Sequence, residues 1–280
     1  MMKKFEKMLL ISDYDNTMCY TESALRGGEA SRIHPRNLEA IRYWMSEGGV
    51  FAMATGRALG AFRGPAADIP MNAPSIIDNG AAIYDLKEER FIVESCLPDA
   101  CLEHLAAIVK KFPEVSLELY HPDDLIQIVH LTDWNRQHAK LTNMGYEVIP
   151  EVTPGLVKLP LVKALLVADM KLLQQIHTYM EKTGWASDYE LIFSSDHLLE
   201  MTAKGADKGQ MALKLKDLCG CEKLYCAGDH ANDLPMLRAA DRAFAPSNAI
   251  PAVLESGGVT AVCHCVDGAL GDIVEILDRE

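Results

Sequence analysis

No stretch of this chain approaches the roughly 18 consecutive uncharged apolar residues that a membrane-spanning helix needs. The apolar run near the start, Met8–Ile11, is four residues long. A secretory signal needs roughly 7–15 such residues, so no leader is expected. No N-x-S/T glycosylation site occurs, and no C-x-x-C pair. The eight cysteines instead include two C-x-C pairs, Cys219/Cys221 and Cys263/Cys265, a poor match to zinc-ribbon or thioredoxin patterns. They read as reduced thiols, and a cytoplasmic location is expected. Cations are also scarce: Lys plus Arg is 27 against 40 Asp plus Glu, for a net charge of −13. Such a chain repels nucleic-acid backbones and anionic membranes, so neither is an expected partner. Small anionic substrates stay admissible, because a metal and a few local donors can reverse the field inside one pocket. With 19 Gly and 13 Pro among 280 residues, collagen-like and disordered classes are excluded.

What is present is globular: 49% hydrophobic and 24% charged residues. The length predicts about two domains. Met8–Ser12, Val50–Ala54 and Ser75–Ile77 read as short buried strands, with a helix opened by Pro35 and closed by Gly48 and Gly49. The tail repeats this logic: helix Asp207–Leu218, strand Leu224–Ala227, helix Leu234–Ala240, strand Arg242–Ala245, helix Asp267–Leu277. Strands alternating with helices predict a parallel α/β sheet. The middle differs. Arg90–Glu94, Ser116–Tyr120, Leu125–Leu131, Glu147–Val152, Val162–Ala168, Leu191–Ser194 and Leu198–Thr202 read as strands, with helices over Ala100–Phe112 and Leu172–Lys182. Adjacent strands suggest antiparallel pairing, hence an α+β insert. The expected division is 1–85 for the first part of an α/β core, 86–196 for the insert, and 197–280 for the rest of the core.

Four polar runs fall at strand ends or helix starts of the α/β halves. Asp13-Tyr14-Asp15-Asn16-Thr17 follows the first strand. Two carboxylates crowded there call for a cation, and paired Asp oxygens suit Mg²⁺. Alone, the run reads equally as an acidic turn. Thr55-Gly56-Arg57 follows the second strand: a hydroxyl and backbone N–H groups for an anion, or simply a strand-to-helix turn. Lys208 stands near a helix start, a cation set against the helix dipole. A bound phosphate would resolve that conflict, and a solvated lysine is the alternative. Gly228-Asp229-His230-Ala231-Asn232-Asp233 offers two carboxylates and an amide after another strand, or a helix start capped by Asp. His230 could shuttle protons, although a lone loop histidine is most often incidental.

In this order the runs resemble the haloacid-dehalogenase-like superfamily of phosphohydrolases, and the match looks like its Cof-type subfamily with a type C2B cap. The resemblance covers nearly the whole chain and includes Asn79-Gly80-Ala81 and Asn248-Ala249. It implies a Rossmann-like parallel-sheet core with an inserted α+β cap. It implies Asp13 as nucleophile, Asp15 as general acid/base and Lys208 as the catalytic cation. Thr55, Gly56, Arg57, Asn79 and Asn232 would bind phosphate or substrate. Mg²⁺ would be held by Asp13, the backbone carbonyl of Asp15, and Asp229, with Asp233 behind them. The expected activity is Mg²⁺-dependent hydrolysis of a small phosphorylated metabolite, a sugar or cofactor phosphomonoester, through an aspartyl phosphate. Phosphotransfer or phosphomutation on the same scaffold is one alternative, and a non-enzymatic phospho-acceptor another. Two departures stand out: His230 in the last motif, and a longer loop at Arg26-Gly27-Gly28-Glu29 that bears on the entrance.

Overall fold

The computed structural model describes residues 3–21 and 32–280. The Arg26–Glu29 loop lies outside the described residues. The strands are β1 (Met8–Ser12), β2 (Val50–Met53), β3 (Ser75–Ile77), β4 (Ala82–Asp85), β5 (Arg90–Glu94), β6 (Ser116–Tyr120) and β7 (Ile126–Val129). They continue as β8 (Tyr146–Val148), β9 (Lys163–Val167), β10 (Tyr189–Ser195), β11 (Leu198–Ala203), β12 (Lys223–Ala227), β13 (Arg242–Pro246) and β14 (Val259–Val262).

One sheet is five-stranded and wholly parallel, in the order β14-β13-β12-β1-β2. Its strands are short apolar runs because helices cover both faces. On one face Leu10, Phe51 and Met53 pack with Ile41 and Trp44 of the helix Pro35–Ser46 and with Ile273 and Leu277 of the helix Ala269–Asp278. On the other, Leu9, Ile11 and Ala52 meet Met211 and Leu215 of the helix Lys208–Leu218 and Met236 of the helix Leu234–Ala239. A strand order that places β12 and β2 on either side of β1 brings three carboxyl-end turns together, where ligands bind in such sheets.

A second sheet, β10-β11-β9-β6-β7-β8, is mixed: antiparallel except for the β7–β8 pair. One face is closed by the helices Cys101–Lys111 and Met170–Thr183. The other carries Tyr120, Ile126, Leu165 and Val167 and packs on Ala58 and Ala61, at the start of the helix Leu59–Ala66. The insert thus sits on the α/β part through this helix. Among the described residues no helix is long and apolar enough to cross a membrane.

Several sequence expectations are corrected. Ser75–Ile77 does not extend the parallel sheet as a full strand. It pairs antiparallel with β4 in a three-stranded meander with β5, and only an isolated parallel bridge, Ala54 to Ile76, ties it to the end of β2. The hairpin β4–β5 that straddles residue 86 therefore pairs with a core-side strand. At the other end the insert's sheet runs past Asp196, because β11 pairs with β9 along Leu198–Thr202. Glu147–Val152 shrinks to the exposed β8, Tyr146–Val148. Three helices are absent from the sequence reading, one of them the single turn Pro251–Leu254, and so are β4 and β14. Leu59–Ala66 is disguised by Gly60, Gly64 and an internal Pro65. Asp133–Thr142 has a capping box between Thr132 and Asn135, with low apolar content to announce it.

Candidate active site

At the end of β1 the chain turns sharply, with Asn16 in the left-handed region at φ 58°. This turn buries Asp13 and Thr17 and leaves Asp15 pointing sideways. At the end of β12, Gly228 is obligatory: a Cβ there would lie 2.4 Å from Cβ of Asp233. The tight turn lets Asp233 fold back, and its Oδ2 accepts from the backbone N–H of Asp229 at 2.9 Å and of His230 at 3.1 Å. Lys208 opens its helix, and Asp207 rather than Lys208 meets the helix dipole by capping Gly209 and Gln210 N–H.

These turns converge. Lys208 is wholly buried, and its ammonium donates to Asp13 Oδ1 at 2.6 Å and to Asp233 Oδ1 at 2.7 Å. Burial alone would discharge it, but the two carboxylates more than offset that and raise its pKa. Thr17 Oγ1 donates to Asp229 Oδ1 at 2.9 Å. Carboxylate oxygens of Asp13, Asp229 and Asp233 lie within 4.8 Å of one another, all three residues buried. Burial first, then mutual repulsion, drives the pKa of Asp13 and of Asp229 upward. One ammonium against three crowded carboxylates leaves a net negative, hard-oxygen cluster. That donor chemistry fits a small divalent cation such as Mg²⁺. Asp233, with both oxygens engaged by Lys208 and the backbone, supports the cluster from behind.

Asp15 stands apart from this cluster. Arg57 forks onto it, Nε to Oδ2 at 2.9 Å and an Nη to Oδ1 at 2.7 Å. Burial would raise the Asp15 pKa, and the guanidinium more than reverses this, holding the carboxyl below its ordinary range. Thr55 is fully buried, and its Oγ1 accepts from Arg57 N–H at 3.1 Å, leaving the hydroxyl proton to donate elsewhere. Gly56 lets the side chain of Asn79 approach, since a Cβ would lie 2.9 Å from its Nδ2. Asn79 adopts φ 55° and accepts through Oδ1 from Asn232 Nδ2 at 2.9 Å. The opposite atoms of that pair, Asn79 Nδ2 and Asn232 Oδ1, are buried without a hydrogen-bond partner among the described residues. Asn248 braces the entrance by donating to the Asn16 carbonyl at 2.7 Å.

Asp13, Asp15, Thr55, Arg57, Asn79, Lys208, Asp229, Asn232 and Asp233 therefore meet around the ends of β1, β2, β3 and β12. Three contacts were not foreseen. Thr17 holds Asp229, and its place two residues after Asp15 was the available signal. The Arg57–Asp15 pair could not be read from a gap of 42 residues. Lys163, from the insert, donates to the Gly56 carbonyl at 2.8 Å; its only sequence signal was a charge opening an apolar run. His230 lies beside the cluster, and burial lowers its pKa.

A parallel sheet with acidic turns at its carboxyl ends, a buried lysine between them and an inserted second sheet defines an α/β core with an inserted cap. The chain belongs to the haloacid dehalogenase-like hydrolases, whose family model matches residues 10–269. Phosphoglycolate phosphatase 2 of Saccharolobus solfataricus is 43% identical over 77 residues, 27% of this chain and 31% of that protein. YxeH of Bacillus subtilis, which carries a provisional phosphatase name, is 25% identical over 232 residues, 78% of this chain and 82% of that one. Among solved structures, the subclass IIB sugar phosphatase BT4131 superposes with a TM-score of 0.79 at 17% identity, covering 98% of this chain and 100% of that one. This last likeness concerns the fold: core plus cap.

Proposed function

We propose that the chain is a Mg²⁺-dependent phosphatase of small phosphomonoesters that works through an aspartyl phosphate on Asp13. The observation that carries this reading is the buried Asp13–Lys208–Asp233 ion network beside Asp229, with Asp15 adjacent but outside it. The phosphatase names of the two sequence relatives support it.

In this reading Asp13 Oδ2, the oxygen not engaged by Lys208, attacks phosphorus as the ester P–O bond breaks. The leaving oxygen takes its proton from Asp15, and Asp15 then removes a proton from the water that hydrolyses the acyl phosphate. With Arg57 forked onto it, Asp15 is a carboxylate, the form a base needs. Delivering a proton requires Arg57 to turn toward the substrate instead. Lys208 and Asp233 fix Asp13 in one rotamer, and Thr55 donates to a phosphoryl oxygen. Asn79 Nδ2 and Asn232 Oδ1 offer one donor and one acceptor to the phosphate or the group next to it. Mg²⁺ would be held by Asp13, the Asp15 backbone carbonyl and Asp229, and when bound it neutralises charge on the transferring phosphoryl group. The insert acts as the cap, from about Leu97, which packs in its core, to Ala203, the end of its sheet.

A panel of phosphomonoesters assayed for phosphate release with Mg²⁺ tests this. Turnover of at least one ester, abolished by a chelator and restored by Mg²⁺, is expected. Full activity after exhaustive dialysis into chelator would refute the metal assignment, and no release from any ester would refute the activity.

A further inference from the structure

The turn between β2 and the helix Leu59–Ala66 presents three successive carbonyls, and each has a different holder. Thr55 O accepts from Asn79 N–H at 3.0 Å, and Arg57 O accepts from Asp78 N–H at 3.0 Å. Both donors belong to the core-side turn after β3. The middle carbonyl, of Gly56, accepts from the ammonium of Lys163 at 2.8 Å, and Lys163 belongs to the insert's sheet. That ammonium is buried, its side chain 4% exposed. Glu200 of β11 lies 3.2 Å from it, Asp78 lies 3.4 Å away, and the Tyr120 ring centroid 4.6 Å away. A buried cation with oxygen partners from both parts of the molecule is fixed in place far more firmly than a surface lysine.

A second contact acts on the same segment four residues on. The helix Leu59–Ala66 begins at Ala58, which has no capping side chain. Its Gly60 N–H donates instead to Asp124 Oδ1 at 2.8 Å, and Asp124 sits in the β6–β7 hairpin of the insert at φ 63°. The insert thus caps a core helix across the seam. A Cβ on Gly60 would come within 3.1–3.3 Å of that carboxylate, so glycine admits the approach. Between the two contacts lies Arg57, which holds Asp15, and Thr55 directly precedes the first of them.

We propose that Lys163 and Asp124 are positioning residues: together they clamp the Thr55–Gly60 segment from the insert, so that seating of the cap sets the orientation of Thr55 and Arg57. The activity consequences rest on the phosphatase reading above, whereas the clamp itself does not. It explains how a cap that contributes none of the strand-end motifs still acts on the chemical step, and not only on access.

The test uses the full chain with p-nitrophenyl phosphate and Mg²⁺, alongside hydrogen–deuterium exchange of peptides covering 55–62. For Asp124→Ala, exchange of this segment should rise and kcat should fall about tenfold with KM little changed, as for a loosened reacting geometry. Asp124→Asn should restore both readouts, because its amide oxygen still accepts from Gly60 N–H. Lys163→Met should cost more, about 10²-fold in kcat, the scale of a displaced catalytic turn. Should Lys163→Met fail to fold, the Asp124 pair decides alone. Asp124→Ala with wild-type exchange and kcat overturns the proposal. So does equal impairment of Asp124→Ala and Asp124→Asn, or a change confined to KM, which would mark a substrate contact. If the wild type releases no phosphate from this or any other ester, the phosphatase reading fails, and the exchange arm still decides the clamp.

Discussion

In the five-stranded parallel sheet the side chains of the candidate site stand just beyond the strand ends: Asp13 and Asp15 after β1, Thr55 after β2, Asp229 after β12. In the six-stranded sheet the polar side chains buried at the seam stand on a face: Glu118 and Tyr120 on β6, Lys163 on β9, Glu200 on β11. The difference follows from strand geometry. A parallel strand flanked by helices is apolar throughout, so polarity waits for the turn, where several consecutive residues can point at one space. A strand of the second sheet has helices on one face and the seam on the other, so its polar residues are spaced by two and are completed by neighbours on other strands. The first arrangement concentrates chemistry in contiguous runs. The second disperses it over residues 118, 120, 163 and 200.

The comparison predicts the largest losses at the strand ends. Asp13→Asn should yield neither product nor phosphoenzyme, since the atom that forms the covalent bond loses its charge. Asp15→Asn should lose roughly 10²–10⁴-fold, the contribution of a positioned acid/base. With p-nitrophenyl phosphate the leaving oxygen needs little protonation, while the second half-reaction still needs an activated water. An acid-stable, hydroxylamine-sensitive phosphoenzyme should therefore accumulate on rapid quench of Asp15→Asn. Accumulation in Asp13→Asn instead would exchange the two roles, and near-wild-type turnover in both would remove the site.

Next come the two lysines of the Lys204–Lys208 run. Lys208 is buried between Asp13 and Asp233, whereas the Lys204 side chain is 62% exposed, 3.0 Å from Glu190. Lys208→Ala should lower kcat by about 10²-fold or more, the scale of a lost transition-state donor. It should also reduce stability, because it leaves buried carboxylates unpaired. Lys204→Ala should be nearly silent in both assays, since an exposed pair contributes about 0–1 kcal/mol. Equal and small effects would mean that the helix start is not part of the site.

How far the sequence could be read follows the same division. Short apolar runs followed by Asp13–Thr17, Thr55–Arg57 and Asp229–Asp233 pointed to the parallel sheet and to a candidate site at its strand ends, because each run carries both its structure and its polar groups locally. The insert's strands were visible as strands, but their partners were not: pairing β11 to β9 is a long-range choice that no local pattern encodes. The same holds for Arg57 on Asp15 and Lys163 on Gly56, contacts made by folding distant segments together. The helix Leu59–Ala66 was hidden for another reason. Its Gly60, Gly64 and Pro65 contradict helix propensity, and packing of Ala61 and Phe62 together with the Asp124 cap overrides it.

A matched pair sharpens the contrast. Asp233 and Glu200 are both buried carboxylates on a buried lysine, one in a strand-end turn and one on a sheet face. Asp233→Asn should cost about 10²-fold in kcat/KM, the upper end for a residue that supports a metal ligand. Glu200→Gln should cost about tenfold, the lower end of the same range, because Lys163 and not a reacting group feels the change. Steady-state kinetics on one ester, with both variants at the same Mg²⁺ concentration, gives the ranking. A larger loss for Glu200→Gln would place the cap's face inside the chemistry.

The smallest effect expected concerns two aspartates with opposite titration. Asp15 is pushed down by Arg57, so it adds stability above the ordinary carboxylate range that is lost as pH falls. Asp78, at the seam, is pushed up to about 6. Burial is the main cause, Glu200 and Asp124 add to it, and Lys163 opposes it. Its folded-state pKa lies above the unfolded one, so the folded chain holds the proton more tightly. The contribution is then fully present below about pH 4 and is lost as pH rises through 6, amounting to at most about 3 kcal/mol. Asp78→Asn imitates the protonated form and leaves Lys163 paired with Glu200. It should raise Tm by a few degrees at pH 8 and change it little at pH 4, which thermal melts across that range will show. A variant less stable than wild type at pH 8 would mean that Lys163 needs both carboxylates, and that the seam depends on charge pairing as closely as the strand-end network does.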